Sequence, residues 1–117
     1  MKLMGKFKLE RYVTTAGVKP IDTWFNAQEL SVNARIESRF FNVERGCIGD
    51  HRHVGGDIWE LKFHFGPGYR VYVGRDGDKL VLLLLYAGIK GTQKKDIKKA
   101  HEYWQDFLSR REHEKAK

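Results

Sequence analysis

Residues 58–74 read Ile58-Trp59-Glu60-Leu61-Lys62-Phe63-His64-Phe65-Gly66-Pro67-Gly68-Tyr69-Arg70-Val71-Tyr72-Val73-Gly74, and this stretch decides the fold. From Ile58 to Phe65, Trp59, Leu61, Phe63 and Phe65 alternate with Glu60, Lys62 and His64, the period of a strand with one apolar face and one polar face. Gly66-Pro67-Gly68 is a turn signal, and Tyr69 to Gly74 resumes a strand in which Val71 and Val73 alternate with Arg70 and Tyr72. The segment is therefore a β-hairpin. On its polar face Lys62 lies two residues from Glu60 and from His64, and the turn brings Arg70 and Tyr72 near them.

Working outward, Asp76-Gly77 predicts a second tight turn, followed by Leu80 to Leu85, an unbroken apolar run expected of a central strand buried on both faces. Gly88 and Gly91 end that strand. Thr92 is placed to cap a last helix, on which Ile97, Ala100, Trp104, Phe107 and Leu108 form an apolar stripe. On the N-terminal side, Phe7 to Thr14 alternates as a strand that closes at Gly17. Pro20 suits the first position of a helix carrying Ile21, Trp24, Phe25 and Gln28. Ser31 can cap a second helix with Val32, Ile36, Phe40 and Val43 on one stripe, ended by Gly46. The short connection predicts a helical hairpin. Gly46 to Asp57 has four glycines and no period, which predicts a loop, and Arg111 to Lys117 reads as a polar, frayed tail. The predicted order is strand, helix, helix, three meandering strands, helix: an α+β domain over 1–110, with a tail over 111–117 and a mainly antiparallel sheet packed on the helical hairpin.

Composition narrows the partners. At 117 residues with 41% hydrophobic content, the chain has room for one core and needs no disulfide to hold it. The single cysteine, Cys47, rules out an internal disulfide and a cysteine-rich zinc site. Residues 1–8 lack a signal-like apolar run, and the leucine run is too short to span a bilayer, so the expectation is a cytoplasmic protein without membrane contact. Lys and Arg outnumber Asp and Glu by 22 to 15, a formal charge of +7 that favours a polyanionic partner.

Taken in order, Glu60-Leu61-Lys62, Gly66-Pro67-Gly68-Tyr69-Arg70-Val71-Tyr72, Ala87-Gly88-Ile89-Lys90 and Thr92-Gln93-Lys94-Lys95-Asp96-Ile97 resemble the RelE/ParE superfamily of toxins. Within it they resemble the phage-derived addiction-module killer proteins close to HigB. Ala34-Arg35-Ile36, Arg39 and Glu44-Arg45-Gly46 to Gly49-Asp50 fit the same branch, and the resemblance runs from about Lys8 to Arg110. It implies a RelE-like fold and a toxin of a type II toxin-antitoxin module. The implied activity is that of an mRNA interferase, a metal-independent endoribonuclease needing no cofactor, which cuts messenger RNA at the ribosome and so inhibits translation. The implied partner is a cognate antitoxin, a helix-turn-helix DNA-binding protein encoded nearby.

Metal-free RNA cleavage needs a base for the 2′-hydroxyl, positive charge for the phosphorane and a proton for the leaving oxygen. Arg70 is the first candidate for phosphate, since its planar fork can grip two oxygens, and it matches the arginine after Gly-Tyr in RelE-like toxins. Lys90 stands where RelE-like members carry a basic residue. His64 and Lys62 are candidates for proton transfer and Glu60 for a second base. Some RelE-type enzymes use a tyrosine on the final helix, whereas this chain has Lys95-Asp96-Ile97-Lys98 there, which leaves the general base open. For RNA contact the candidates are His51, Arg52 and His53 in the glycine-rich segment, Tyr69 and Tyr72 as stacking rings, and Lys94, Lys95 and Lys98 on the last helix. Trp24, Trp59 and Trp104 lie on apolar stripes and read as core. Other readings on the same fold are a ParE-like inhibitor of DNA gyrase and a phage-derived binding protein that does not cut.

Overall fold

Leu82, Leu83, Leu84 and Leu85 are all buried, with Leu82 and Leu84 in one apolar cluster and Leu83 and Leu85 in another. The leucine run is thus the middle of a layered domain, as its composition requires. The computed structural model describes residues 3–77 and 79–115. In chain order the elements are β1 (Lys8–Arg11), α1 (Pro20–Asn26), α2 (Leu30–Glu44), β2 (His51–His53), β3 (Ile58–Lys62), β4 (Tyr69–Arg75), β5 (Val81–Ile89) and α3 (Gln93–Lys115), with a 3₁₀ turn over Lys90–Thr92.

Among the described residues the sheet has five strands, in the order β1-β5-β4-β3-β2. β2, β3, β4 and β5 pair antiparallel, while β1 runs parallel to β5. A parallel neighbour needs a long crossover, and the two helices fall within the connection that leaves β1. The architecture is α+β with a mixed sheet and a C-terminal helix.

Alternation along the strands sorts side chains to two covers. Trp59, Leu61, Val71, Val73, Leu82 and Leu84 meet Ile21, Phe25, Ile36, Phe40 and Val43 of α1 and α2. Ile58, Tyr72, Leu83 and Leu85 meet Ala100 and Trp104 of α3. Helix α3 lies so close that a Cβ on Gly74 would fall 2.3 Å from the Trp104 ring and one on Gly88 1.8 Å from an Asp96 carboxylate oxygen. Small residues at these two strand positions let the helix seat.

Four expectations need correction. The glycine-rich segment is not wholly loop, since His51–His53 forms the edge strand β2 against β3; three residues are too few to show a period. Ser31 is inside α2, whose N-cap is Glu29. The tail from Arg111 is helical to Lys115, and Arg111 pairs with Asp76, an ion pair that fixes the last turns to the β4–β5 connection; residues 116 and 117 of that tail lie outside the described residues. Last, the polar face of the β3–β4 hairpin, expected to present Glu60, Arg70 and Tyr72 to a substrate, is covered at these three positions by α3, which buries them. No helix among the described residues is long and apolar enough to cross a membrane.

Candidate functional site

The register of the hairpin sets Lys62 opposite Arg70 and Glu60 opposite Tyr72, while β5 places Gly88 opposite Arg70. The backbone N–H of Lys90 donates to the carbonyl of Gly68 at 2.8 Å, tying the start of the 3₁₀ turn to the hairpin tip. Gly68 has φ +80°, and a Cβ there would press on Lys90 and Arg70. This close approach leaves a groove of about 760 Å³ lined by Arg52, Lys62, His64, Arg70, Lys90 and Gln93, with Phe63, Phe65 and the glycines and proline of the turn along its walls. Four of the expected catalytic residues, Lys62, His64, Arg70 and Lys90, therefore share one groove, and Arg52 joins them.

Beneath the groove Glu60 has 0% exposure. Its Oε1 accepts from Arg52 Nε at 3.3 Å and lies 3.8 Å from Arg70 Nε, and its Oε2 accepts from the Tyr72 hydroxyl at 3.0 Å and from Gln93 Nε2 at 2.9 Å. A carboxylate so enclosed, accepting three hydrogen bonds with no exposure, is a structural anchor that no substrate proton can reach, which corrects its expected role as a base. Arg70 is 5% exposed, and its Nη1 is spent on the carbonyls of Tyr69, at 3.0 Å, and Phe63, at 3.4 Å. Only the Nη2 side is left for the groove, so the two-oxygen grip expected of Arg70 reduces to a one-sided contact. Removing this side chain also costs the buried Glu60 its neighbouring positive charge, so Arg70→Ala is expected to destabilise the fold as well as the groove.

At the outer rim, His64 Nε2 lies 2.6 Å from Asp50 Oδ2. The hydrogen bond from His64 holds the Asp50 carboxyl below its ordinary range, with the charges of Lys62 and Arg39 acting in the same direction. Arg39 of α2 braces this corner, donating from Nε to Ile48 O (2.8 Å), from Nη1 to Lys62 O (2.5 Å) and from Nη2 to Asp50 O (2.6 Å). Burial pulls the Arg39 guanidinium below its ordinary value, and the Asp50 charge opposes the shift.

Several expected contacts lie elsewhere. His51 and His53 point to the face of β2 opposite Arg52, packed beside Trp59 with ring centroids 5.7 and 4.8 Å away, and each has a ring nitrogen on a backbone carbonyl, Gly49 O or Gly56 O. Alternation along three residues gives the groove only Arg52. Tyr69 is packed against Trp24 and Phe65, and Tyr72 is fully buried. Neither ring has a free face, which removes them as stacking platforms. Burial, then the Glu60 charge, pushes the Tyr72 phenol well above its ordinary value, as suits a permanent donor. Lys94, Lys95 and Lys98 line a separate shallow cleft with Gly91 and Thr92. Trp59 and Trp104 are core, and Trp24 packs against it.

Sequence reasoning gave no role to Asp50, Arg39 or Gln93. Asp50 meets His64 across 14 positions and Gln93 meets Glu60 across 33, spacings no local pattern encodes.

No family model matches the chain, and no solved structure matches it. A protein of Haemophilus influenzae described as uncharacterized is 40% identical to it over 80 residues, which is 68% of this chain and 80% of that protein. With that identity over most of the relative's length, the chain belongs to the same family as the Haemophilus influenzae protein.

Proposed function

We propose that this chain is a RelE/HigB-type toxin of a toxin-antitoxin module. In this reading it is a cytoplasmic, metal-independent endoribonuclease that cuts messenger RNA at the ribosome and is silenced by a helix-turn-helix antitoxin. The observation that carries the proposal is the groove itself: Arg52, Lys62, Arg70 and Lys90 converge there with His64, and none of its lining residues is acidic. Such a surface suits a phosphodiester backbone. The order of strand, two helices, antiparallel strands and C-terminal helix is the one a RelE-like fold implies, which supports the same reading.

In the proposed reaction His64 takes the proton of a 2′-hydroxyl, and O2′ bonds to the adjacent phosphorus. Arg70 and Lys90 offset the negative charge that builds on the phosphorane oxygens. The bond from phosphorus to O5′ breaks, and the Lys62 ammonium protonates the departing O5′. The products are a 2′,3′-cyclic phosphate and a 5′-hydroxyl end; proton exchange with water then restores His64 and Lys62.

Mapping of 5′ ends after induction of the chain in growing bacteria tests this. New 5′-hydroxyl ends inside translated messages are expected, and His64→Ala should lower their yield by about 10²–10⁴-fold while the protein stays folded. Growth arrest with intact messages would rule the reading out.

A further inference from the structure

We propose that Asp50 is the positioning residue for His64, fixing the tautomer in which Nε2 carries the hydrogen and leaving Nδ1 as the proton acceptor for the groove. This rests on the endoribonuclease reading and names the base that the sequence leaves open. Three observations lead to it. The first is the 2.6 Å contact between Nε2 and Oδ2, in which a carboxylate can only accept, so the hydrogen belongs to the ring.

The second is the effort of structure spent on holding the pair. The Asp50 carbonyl accepts from the backbone N–H of Lys62 at 2.9 Å and from Arg39, and Arg39 also takes the carbonyl of Lys62, two residues before His64. One guanidinium from α2 thereby locks the Asp50 segment to the end of β3. Gly49, at φ +76°, is needed for this packing, because a Cβ there would fall 2.6 Å from Arg39 Nε. The third is exposure: the His64 and Asp50 side chains are 66% and 51% exposed, and an ion pair so wet contributes little to folding. A braced pair with little to offer stability is better explained by orientation of the ring. Asp50 remains ionised through the neutral range, consistent with its lowered pKa, so it stays an acceptor while His64 exchanges protons.

The test uses ¹⁵N-labelled full-length protein, with the ring nitrogens of His64 read by long-range proton–nitrogen correlation at a pH where the ring is neutral. The wild-type chain should show a protonated Nε2 and a bare Nδ1, and Asp50→Ala should give a mixture of both tautomers. Single-turnover cleavage of a ribosome-bound message should fall about 10- to 100-fold in Asp50→Ala, the usual scale for loss of an orienting partner. The fold should survive, because only the backbone of Asp50 contacts Arg39. Unchanged ring spectra in Asp50→Ala, or an altered tautomer with an unchanged cleavage rate, would overturn the assignment. A wild-type chain that shows the bare Nδ1 but cuts no message would overturn the endoribonuclease reading and leave the tautomer assignment standing.

Discussion

On the helical-hairpin side of β3 and β4, Trp59, Leu61, Val71 and Val73 are buried among apolar side chains; one residue along each strand, on the α3 side, Glu60, Arg70 and Tyr72 are buried as a polar set. The two faces belong to the same two strands and are equally dry, yet different physics holds them. The apolar face gains from removing surface from water, which is non-directional and forgiving of small changes in shape. On the polar face the desolvation of Glu60 is offset only because Arg52, Tyr72 and Gln93 donate to it and Arg70 lies beside it, so that face holds together or fails as a unit. Three of those partners, Arg52, Arg70 and Gln93, also line the groove, so the anchor that stabilises this face also aims the site.

The sharpest way to break the contrast is Glu60→Ala. It leaves the buried Arg70 guanidinium without its neighbouring countercharge and the buried Tyr72 phenol without its acceptor, and the expected loss is about 4 kcal/mol in urea unfolding. Because Arg70 and Gln93 lose their hold, message cleavage by the remaining folded protein should drop as well. A loss within about 0.5 kcal/mol, with cleavage intact, would show that Glu60 is not the anchor. The neighbouring Leu61→Ala should cost about 3 kcal/mol through the cavity it opens, but cleavage per folded molecule should stay at the wild-type level, since Leu61 faces the other cover. Equal damage to cleavage from both substitutions would mean that the two faces do not act separately.

The sequence shows this division only by half. Period-two alternation from Ile58 to Val73 assigns each side chain to its correct face, and the leucine run of β5 announces burial on both sides. What alternation cannot say is what covers a face. Glu60 and Arg70 read as groups open to a substrate because a charged side chain on a strand is ordinarily exposed; their burial depends on α3 reaching within contact of Gly74 and Gly88, and a glycine in a strand says only that something comes close. The groove was legible as Lys62, His64, Arg70 and Lys90 because three of them lie on one hairpin and the fourth directly follows β5. Asp50 and Arg39 were not: their placement depends on α2 and a glycine-rich segment folding back on the end of β3, contacts made in three dimensions without a local pattern.

The smallest expected effect tests the polar side of the sheet farther along, where the Tyr12 hydroxyl donates to Asp106 Oδ2 at 2.5 Å and Arg110 pairs with the same carboxylate at 2.8 Å. Tyr12→Phe removes one hydrogen bond to a charged acceptor at little change in volume, and a loss of about 1.5 kcal/mol is expected at neutral pH. The more telling readout is the alkaline limb. Burial and the Asp106 carboxylate push the Tyr12 phenol up to about 12 from its ordinary 10, so the folded chain keeps this proton where the unfolded chain releases it. The stability it contributes is complete below pH 10 and is lost as pH rises through about 12. Urea midpoints for the wild type should therefore fall across that window, and those for Tyr12→Phe should fall less steeply. The Tyr72 phenol is also raised, by burial first and by Glu60 second, so part of the slope persists in Tyr12→Phe. Identical alkaline slopes in the two proteins would show that the Tyr12 hydroxyl is not bound to Asp106 in solution.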